Sequence, residues 1–431
     1  MNAYPKYKTI AFEYVTQIPE DWDLLPNIAI FEERNEKGHI HEELLSVTIG
    51  KGVIKQSELN KKDSSNPDKS NYKLVEIGDI VYSMRFRQGA SGYSNYKGLV
   101  SNACTVLKPK MKINPKFFHY QYRLPFYQNY AERYSYGIAD GQKPLRWQDF
   151  KRMYAFVPPL ETQNQIVTYL EEKEKHIKKF IKKKKELINL AKDERKVLIT
   201  HIIEKEHLKF NFDKTRLKYI SNKISDGLHS TPEYEDSTEY YFINGNNLID
   251  GKIVIGKKTR SVSESEYNAH RKQLNSKTIL FSINGSIGNI AHYNNEQIIL
   301  GKSAAYINLK KNVNRNYIFY LLQSYLVSSF YDMEKTGTTI YNLSLQSIKN
   351  TPILLPSEDK QEEISQHISN EIKKVDKLIL TTMQEIKLSE DLLKSLIEQV
   401  VTGKMKVPNT YNSKKDTISI AAEPVNTYNT P

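Results

Sequence analysis

Part of this chain occurs twice, and that duplication limits its possible folds more than any other feature. The segment VPPLETQNQIVTYL from Val157 aligns without a gap on LPSEDKQEEISQHI from Leu355. Pro158 matches Pro356, Gln163 matches Gln361, Ile166 matches Ile364 and Leu170 matches Ile368, at one constant offset of 198 residues. The offset holds through Ile177/Val375, Phe180/Leu378, Ile188/Ile386, Leu198/Leu396 and Ile202/Val400. A duplication at fixed spacing means that one supersecondary unit is used twice.

Each copy reads as a long helix. In the first, apolar residues or aliphatic stems recur at Ile166, Leu170, Ile177, Phe180/Ile181, Lys184, Ile188, Ala191, Arg195, Leu198 and Ile202. In the second they recur at Ile364, Ile368, Ile372, Val375, Leu378/Ile379, Met383, Ile386, Leu393, Leu396/Ile397 and Val400. Steps of three and four residues mark a coiled coil; a plain helical hairpin within a core is the other reading of such stripes. Neither run contains Pro or Gly. A proline precedes each, where it is tolerated, and Gly403 follows the second as a stop. A helix of ~42 residues is a rod of about 60 Å. Antiparallel pairing of the two rods predicts two domains at opposite ends, related by an approximate two-fold axis. Duplex DNA has two-fold axes of its own, and 60 Å is roughly 18 base pairs.

The repeat reaches backward with drifting offsets. GDIVYSMR parallels KTILFSIN, INPKFFHYQY parallels VNRNYIFYLL, and LRWQDFKRM parallels LSLQSIKNT. These β-rich runs, broken by Gly, Asn and Ser turns, predict a mixed domain before each helix. The expected fold class is therefore α+β: two mixed α/β domains joined by two long antiparallel coiled-coil helices, with a pseudo-two-fold internal repeat. The expected domains are 1–157, a helix over 158–206, a second mixed domain over 207–355, a second helix over 356–406, and a polar, disordered tail over 407–431.

The net charge of +13 and pI of about 9.2 point to a polyanionic partner or to a merely basic surface. The 29 tyrosines suit base stacking and the edge of a core equally. Cys104 is the single cysteine, so the chain has no internal disulfide and no cysteine-based zinc site. The histidines include no H-x-x-x-H pair, and no metal site is expected. No run approaches the ~18 apolar residues of a membrane span, and the N-terminus lacks a signal-peptide pattern, so a cytoplasmic location is expected.

IPEDWDLLP at Ile18, EERNEKG at Glu32, ELLSVTIGKGVI at Glu43, the GDIVYSM strand and the two P-x-x-x-x-Q-x-x-I helix openers resemble the specificity subunits of type I restriction–modification systems. The resemblance spans about residues 17–406. The second opener, PSEDKQEEI, departs from the usual P-P-L start. The resemblance implies that each mixed domain is a target recognition domain for double-stranded DNA. It implies that the long helices are spacers docking two modification subunits, which are adenine-N6 methyltransferases using S-adenosylmethionine. A restriction motor-nuclease subunit completes such complexes. The chain itself is then not an enzyme and binds no cofactor of its own.

Catalytic signatures are lacking, in keeping with that reading. No N/D-P-P-Y/F motif occurs, and Gly301-Lys302-Ser303 has Glu296 where a P-loop needs glycine. Candidate DNA contacts lie in turns. In the first domain Arg85, Arg87 and Gln88 follow the strand ending at Ser83 and suit guanine and adenine edges. At the matching place in the second domain, Asn284 suits adenine and Ser286 suits phosphate. A further pair of segments precedes the helices: Tyr136, Gln142, Lys143 and Arg146 in one copy, Lys335, Thr338, Thr339, Tyr341 and Asn342 in the other. Lys257, Lys258 and Arg260 suit phosphate or a solvated face. Lys182–Lys185 reads as a solvated helix face or as a contact with spacer DNA, and Asp226–His229 as a turn. Two alternatives remain from other classes: an autonomous coiled-coil DNA-binding regulator, and a structural coiled-coil adaptor.

Overall fold

The structure is a computed structural model, and it describes residues 3–59, 68–135, 144–337 and 341–408. The expected tail beyond residue 408 lies outside the described residues. Two compact units emerge, Met1–Lys182 with Ile386–Pro431, and Lys183–Glu385. Both boundaries fall inside long helices, Leu160–Phe210 and Glu358–Val401.

In the first unit an antiparallel sheet runs in the order Phe31–Glu33, Thr105–Pro109, Ile80–Tyr82, Ser91–Tyr93. The strand Ile80–Tyr82 is apolar throughout because both of its faces are covered. Ile80 and Tyr82 enter the main core, and Val81 packs with Val75, Val100 and Val106 on the other side. The main core is aromatic: Phe31, Phe117, Phe118, Tyr122, Tyr127, Phe150 and Phe156 are at most 1% exposed. Buried Asn27 organises the tyrosines. It donates to Tyr127 Oη at 2.9 Å and Phe150 O at 3.1 Å, and accepts from Tyr122 Oη at 2.7 Å. Much of the tyrosine content is thus core, not base-stacking surface.

The second unit repeats the sheet order with Ser221–Asp226, Ala304–Leu309, Thr278–Ser282 and Ile290–His292. Ile279 and Phe281 face one core with Ile307 and Ile318, while Leu280 faces a smaller one with Ala304 and Tyr306. In each unit an early strand pairs antiparallel with the strand entering the long helix: Asp23–Pro26 with Tyr154–Val157, and Asp213–Arg216 with Pro352–Leu355.

The repeated glutamine explains the repeated helix opener. Gln163, 1% exposed, donates to Pro158 O at 2.7 Å and accepts from Asn114 N at 2.8 Å. Gln361, 2% exposed, donates to Pro356 O at 2.8 Å and accepts from Asn314 N at 2.8 Å. Asn114 and Asn314 are the N-caps of the short helices Pro115–Tyr122 and Arg315–Leu321. One amide side chain therefore satisfies a polar group at the helix start and ties that helix to its own domain.

Within the second unit the long helices run antiparallel. Lys184 pairs with Glu385 at 2.7 Å, Arg195 with Asp376 at 2.8 Å, and Glu206 with Lys360 at 2.6 Å, so one helix ascends as the other descends. Lys184 and Arg195, expected in the stripe for their stems, reach across with their charges. Ala191, Val375 and Ile379 form the apolar contact between them. The stripe needs correction at one place in the second helix: Met383 is 45% exposed and Thr382 is buried instead, while of the expected pair Leu378/Ile379 it is Ile379 that is buried. Ile199 and Ile203, outside the expected stripe, are fully buried in the domain core. Gly403 follows the second helix at φ +75°, as the stop position requires. No helix among the described residues is long and apolar enough to cross a membrane.

Candidate nucleic-acid interface

In the first unit the strand Ile80–Tyr82 leads into a tight turn built around a 3-10 helix, Phe86–Gln88. Phe86 is 1% exposed and anchors the turn from below, against Tyr82 at 5.2 Å and Phe150 at 5.8 Å. Gly89 closes it at φ +87°, a left-handed conformation that suits glycine. With the aromatic ring inward, Arg85 and Gln88 are left exposed. Arg87 is engaged by Glu132 at 2.6 Å, so any further acceptor must compete with that carboxylate.

Arg146 is also exposed and precedes the helix Trp147–Phe150. Phe150 of that helix packs on Tyr82 and Phe86, which brings the Arg146 segment against the base of the turn. Tyr136, Gln142 and Lys143 lie outside the described residues.

Sequence reading missed the residue that fixes this surface. Arg123 Nη1 donates to Gly89 O at 3.2 Å and Ser91 O at 2.8 Å, and its Nη2 donates to Gly50 O at 3.2 Å. Burial lowers the Arg123 pKa below its ordinary value. Close by, His119 Nδ1 accepts from Tyr93 N at 3.1 Å, and burial holds the imidazole neutral, its pKa pushed down to about 3.

In the second unit two of the expected segments meet. Asn284 forms an antiparallel bridge with Asn342, Gly285 N donates to Tyr341 O at 3.1 Å, and Leu343 N donates to Ile283 O at 2.9 Å. Asn342 also exchanges hydrogen bonds with Thr336, at 2.8 and 2.9 Å. The result is a small platform with exposed Ser286 and Tyr341 on it. Lys335 lies 5.0 Å from the Tyr341 ring centre and bonds Asp332 at 2.8 Å, which raises its pKa. Thr338 and Thr339 lie outside the described residues.

Lys302 was missed as well. It is exposed beside Ser303, whose carbonyl accepts from Ile283 N at 3.0 Å, so it borders the platform. The Gly301-Lys302-Ser303 motif signalled it, although as a loop flank and not as a phosphate cradle.

Lys257, Lys258 and Arg260 occupy a different turn, closed by Thr259 N donating to Gly256 O at 2.8 Å. Arg260 lies 5.2 Å from the Tyr234 ring centre. No hydrogen bond or ring contact joins this turn to the platform among the described residues. Asp226 bonds His229 at 2.8 Å, and Leu228 bridges Gly301, which makes the segment a pinned strand end. On the first long helix Lys182, Lys183 and Lys185 are exposed, while Lys184 is paired.

These features define a class: a protein made of two like domains, each ending its central strand in a structured polar turn and each latched to a long helix. The family model of the type I restriction modification DNA specificity domain matches residues 19–190 and again 211–388. The chain belongs to this family, and it is a specificity subunit of the type I restriction–modification kind. It is 25% identical over 440 residues to a putative type I restriction enzyme MjaX specificity subunit of Methanocaldococcus jannaschii, covering 91% of this chain and 96% of that protein. Its fold is similar to a chain in a structure addressing complex assembly and conformational transition of the type I restriction–modification system. That match has a TM-score of 0.54 at 15% identity and covers 90% of this chain and 99% of the other. A specificity subunit from Thermoanaerobacter tengcongensis aligns over 90% of this chain and 98% of its own, with 15% identity and a TM-score of 0.41.

Proposed function

We propose that this chain reads an asymmetric, two-part DNA site, one half with each domain, and supplies no catalysis itself. One observation carries the reading. The scaffold is duplicated down to its buried glutamine latch, yet the turn at the end of the matching strand differs, Met84-Arg85-Phe86-Arg87-Gln88-Gly89 against Ile283-Asn284-Gly285-Ser286. Equal scaffolds with unequal donor and acceptor sets suit two different base sequences.

The partners are two adenine-N6 methyltransferase subunits, which bring S-adenosylmethionine, and through them a restriction motor-nuclease. The second long helix supports this by leaving Leu380, Leu388 and Leu392 between 60% and 69% exposed, as a docking surface requires. The assembly works in the cytoplasm, where its DNA is.

The test is genome-wide mapping of N6-methyladenine in cells with the methyltransferase partner, with and without this chain. A bipartite methylated motif that vanishes with the chain is the expected result. With the partner expressed and active, no chain-dependent motif refutes the reading.

A further inference from the structure

The three carbonyls held by Arg123 belong to two separate pieces of chain. Gly89 and Ser91 flank the turn with Arg85 and Gln88. Gly50 lies at the tip of the hairpin formed by Leu45–Thr48 and Gly52–Lys55. One guanidinium spans both, so the tip and the turn lie within about 9 Å of each other.

A second contact locks the same pair. A Cβ on Gly92 would lie 2.7 Å from Gly52 Cα, so two backbones touch where neither has a side chain. Gly50 and Gly52 take φ of +94° and +72°, which fixes the shape of the tip, and a Cβ on Gly50 would meet open space.

Two of the charges at this place have no ion pair. Lys55, further down the hairpin, is paired with Glu43 at 2.7 Å. Lys51 at the tip and Arg85 on the turn are exposed and have no ion-pair partner among the described residues, whereas Arg123 beneath them feels the Glu174 carboxylate. Beside Lys51, Ile49 is 53% exposed. Two neighbouring exposed cations without ion pairs favour a polyanion as occupant.

The second copy serves as an internal contrast. The offset that relates Asn114 to Asn314 puts Gln323 where the first copy has Arg123. The corresponding hairpin tip carries Asp250, paired with Lys192 at 4.0 Å. The second tip has an exposed lysine of its own, Lys252, but with the Asp250 carboxylate beside it and no guanidinium beneath it among the described residues, so what is particular to the first domain is a tip without an acidic residue, held by an arginine.

We propose that the hairpin tip Ile49–Gly52 is a second DNA-contact element of the first domain, with Lys51 on a backbone phosphate next to the bases read by Arg85 and Gln88. Arg123 is the positioning residue that sets the spacing of tip and turn. The inference rests on the proposed DNA-reading function. A phosphate contact contributes affinity and register without base identity, so the two elements have separable signatures.

The experiment uses the full chain co-expressed with its methyltransferase partner, and duplexes carrying the mapped motif or single-base changes in either half. Binding is followed by fluorescence anisotropy between 50 and 200 mM salt. Lys51→Gln is expected to weaken all duplexes about equally and to lower the salt slope by about 0.9. Arg123→Lys keeps the charge but not the three-point hold. It is expected to relax base preference in the first half-site at least fivefold, with the second half-site and the thermal midpoint near wild type. An unchanged salt slope in Lys51→Gln overturns the contact. Equal loss at both half-sites in Arg123→Lys, or loss only alongside a lowered midpoint, overturns the positioning role. In both cases a wild-type chain that still prefers its motif leaves the DNA-reading function standing, whereas a wild type without any preference overturns that function and this inference with it.

Discussion

Replacing Gln163 with leucine tests whether the latch carries energy. The substitution keeps bulk and removes both hydrogen bonds, leaving Pro158 O and Asn114 N without their partner. A buried, unsatisfied backbone group costs about 1–3 kcal/mol. The Pro158 end is fully buried and costs about 2–3 kcal/mol, and the half-buried Asn114 end costs about 1 kcal/mol. Leucine gains back part by apolar burial, about 1 kcal/mol. The net expectation is a loss of about 2–3 kcal/mol, confined to the first unit. In hydrogen exchange, amides of residues 113–123 and 160–170 that open with the unit should exchange roughly 30- to 150-fold faster. Gln361→Leu should do the same to residues 313–323 and 358–368. Acceleration below threefold, or equal acceleration in both units after either single change, refutes the reasoning.

His119 predicts a pH dependence for the first unit. Its folded pKa of about 3 lies below the ordinary 6.5, so the folded state binds fewer protons than the unfolded one between these values. The associated stability is fully present above about pH 6.5 and is lost as pH falls toward 3, at up to about 1.4 kcal/mol per unit. Denaturation midpoints measured from pH 7 to 4 should fall more steeply in wild type than in His119→Gln; equal slopes refute this. Gly227→Ala would place a Cβ 2.0 Å from Leu300 O. It should destabilise the second unit by about 2–3 kcal/mol and erode preference at the second half-site only, seen by exchange and anisotropy. Arg195→Met removes the bonds to Asp376 and Gln323, yet these are half-exposed, so the thermal midpoint should drop by no more than about 3 °C.

The architecture was legible because its joints are local in sequence. Pro158, Gln163 and Ile166 sit within three helical turns, and their repetition at Pro356, Gln361 and Ile364 exposes the plan. Side-chain stripes were less legible. Thr382 is buried where Met383 was expected because tertiary packing, not hydropathy, decides which face turns inward. The polar platform was legible only in pieces. Asn284 and Asn342 each look like loop polarity, and their bridge appears only once the sheet is folded. Arg123 gave no signal at all, since its Gly50 partner lies 73 residues away and offers only a carbonyl.

The two latches have a consequence for inheritance. Asn114, Gln163 and Pro158 make the same three-point joint as Asn314, Gln361 and Pro356, and neither joint includes a residue of the polar turns. A genetic crossover within a helix opener therefore hands over a whole domain with its fitting already matched. On the proposed function, in which each domain reads its own half-site, new target sequences can be acquired by exchanging modules in one event, without a series of substitutions that must each preserve the packing.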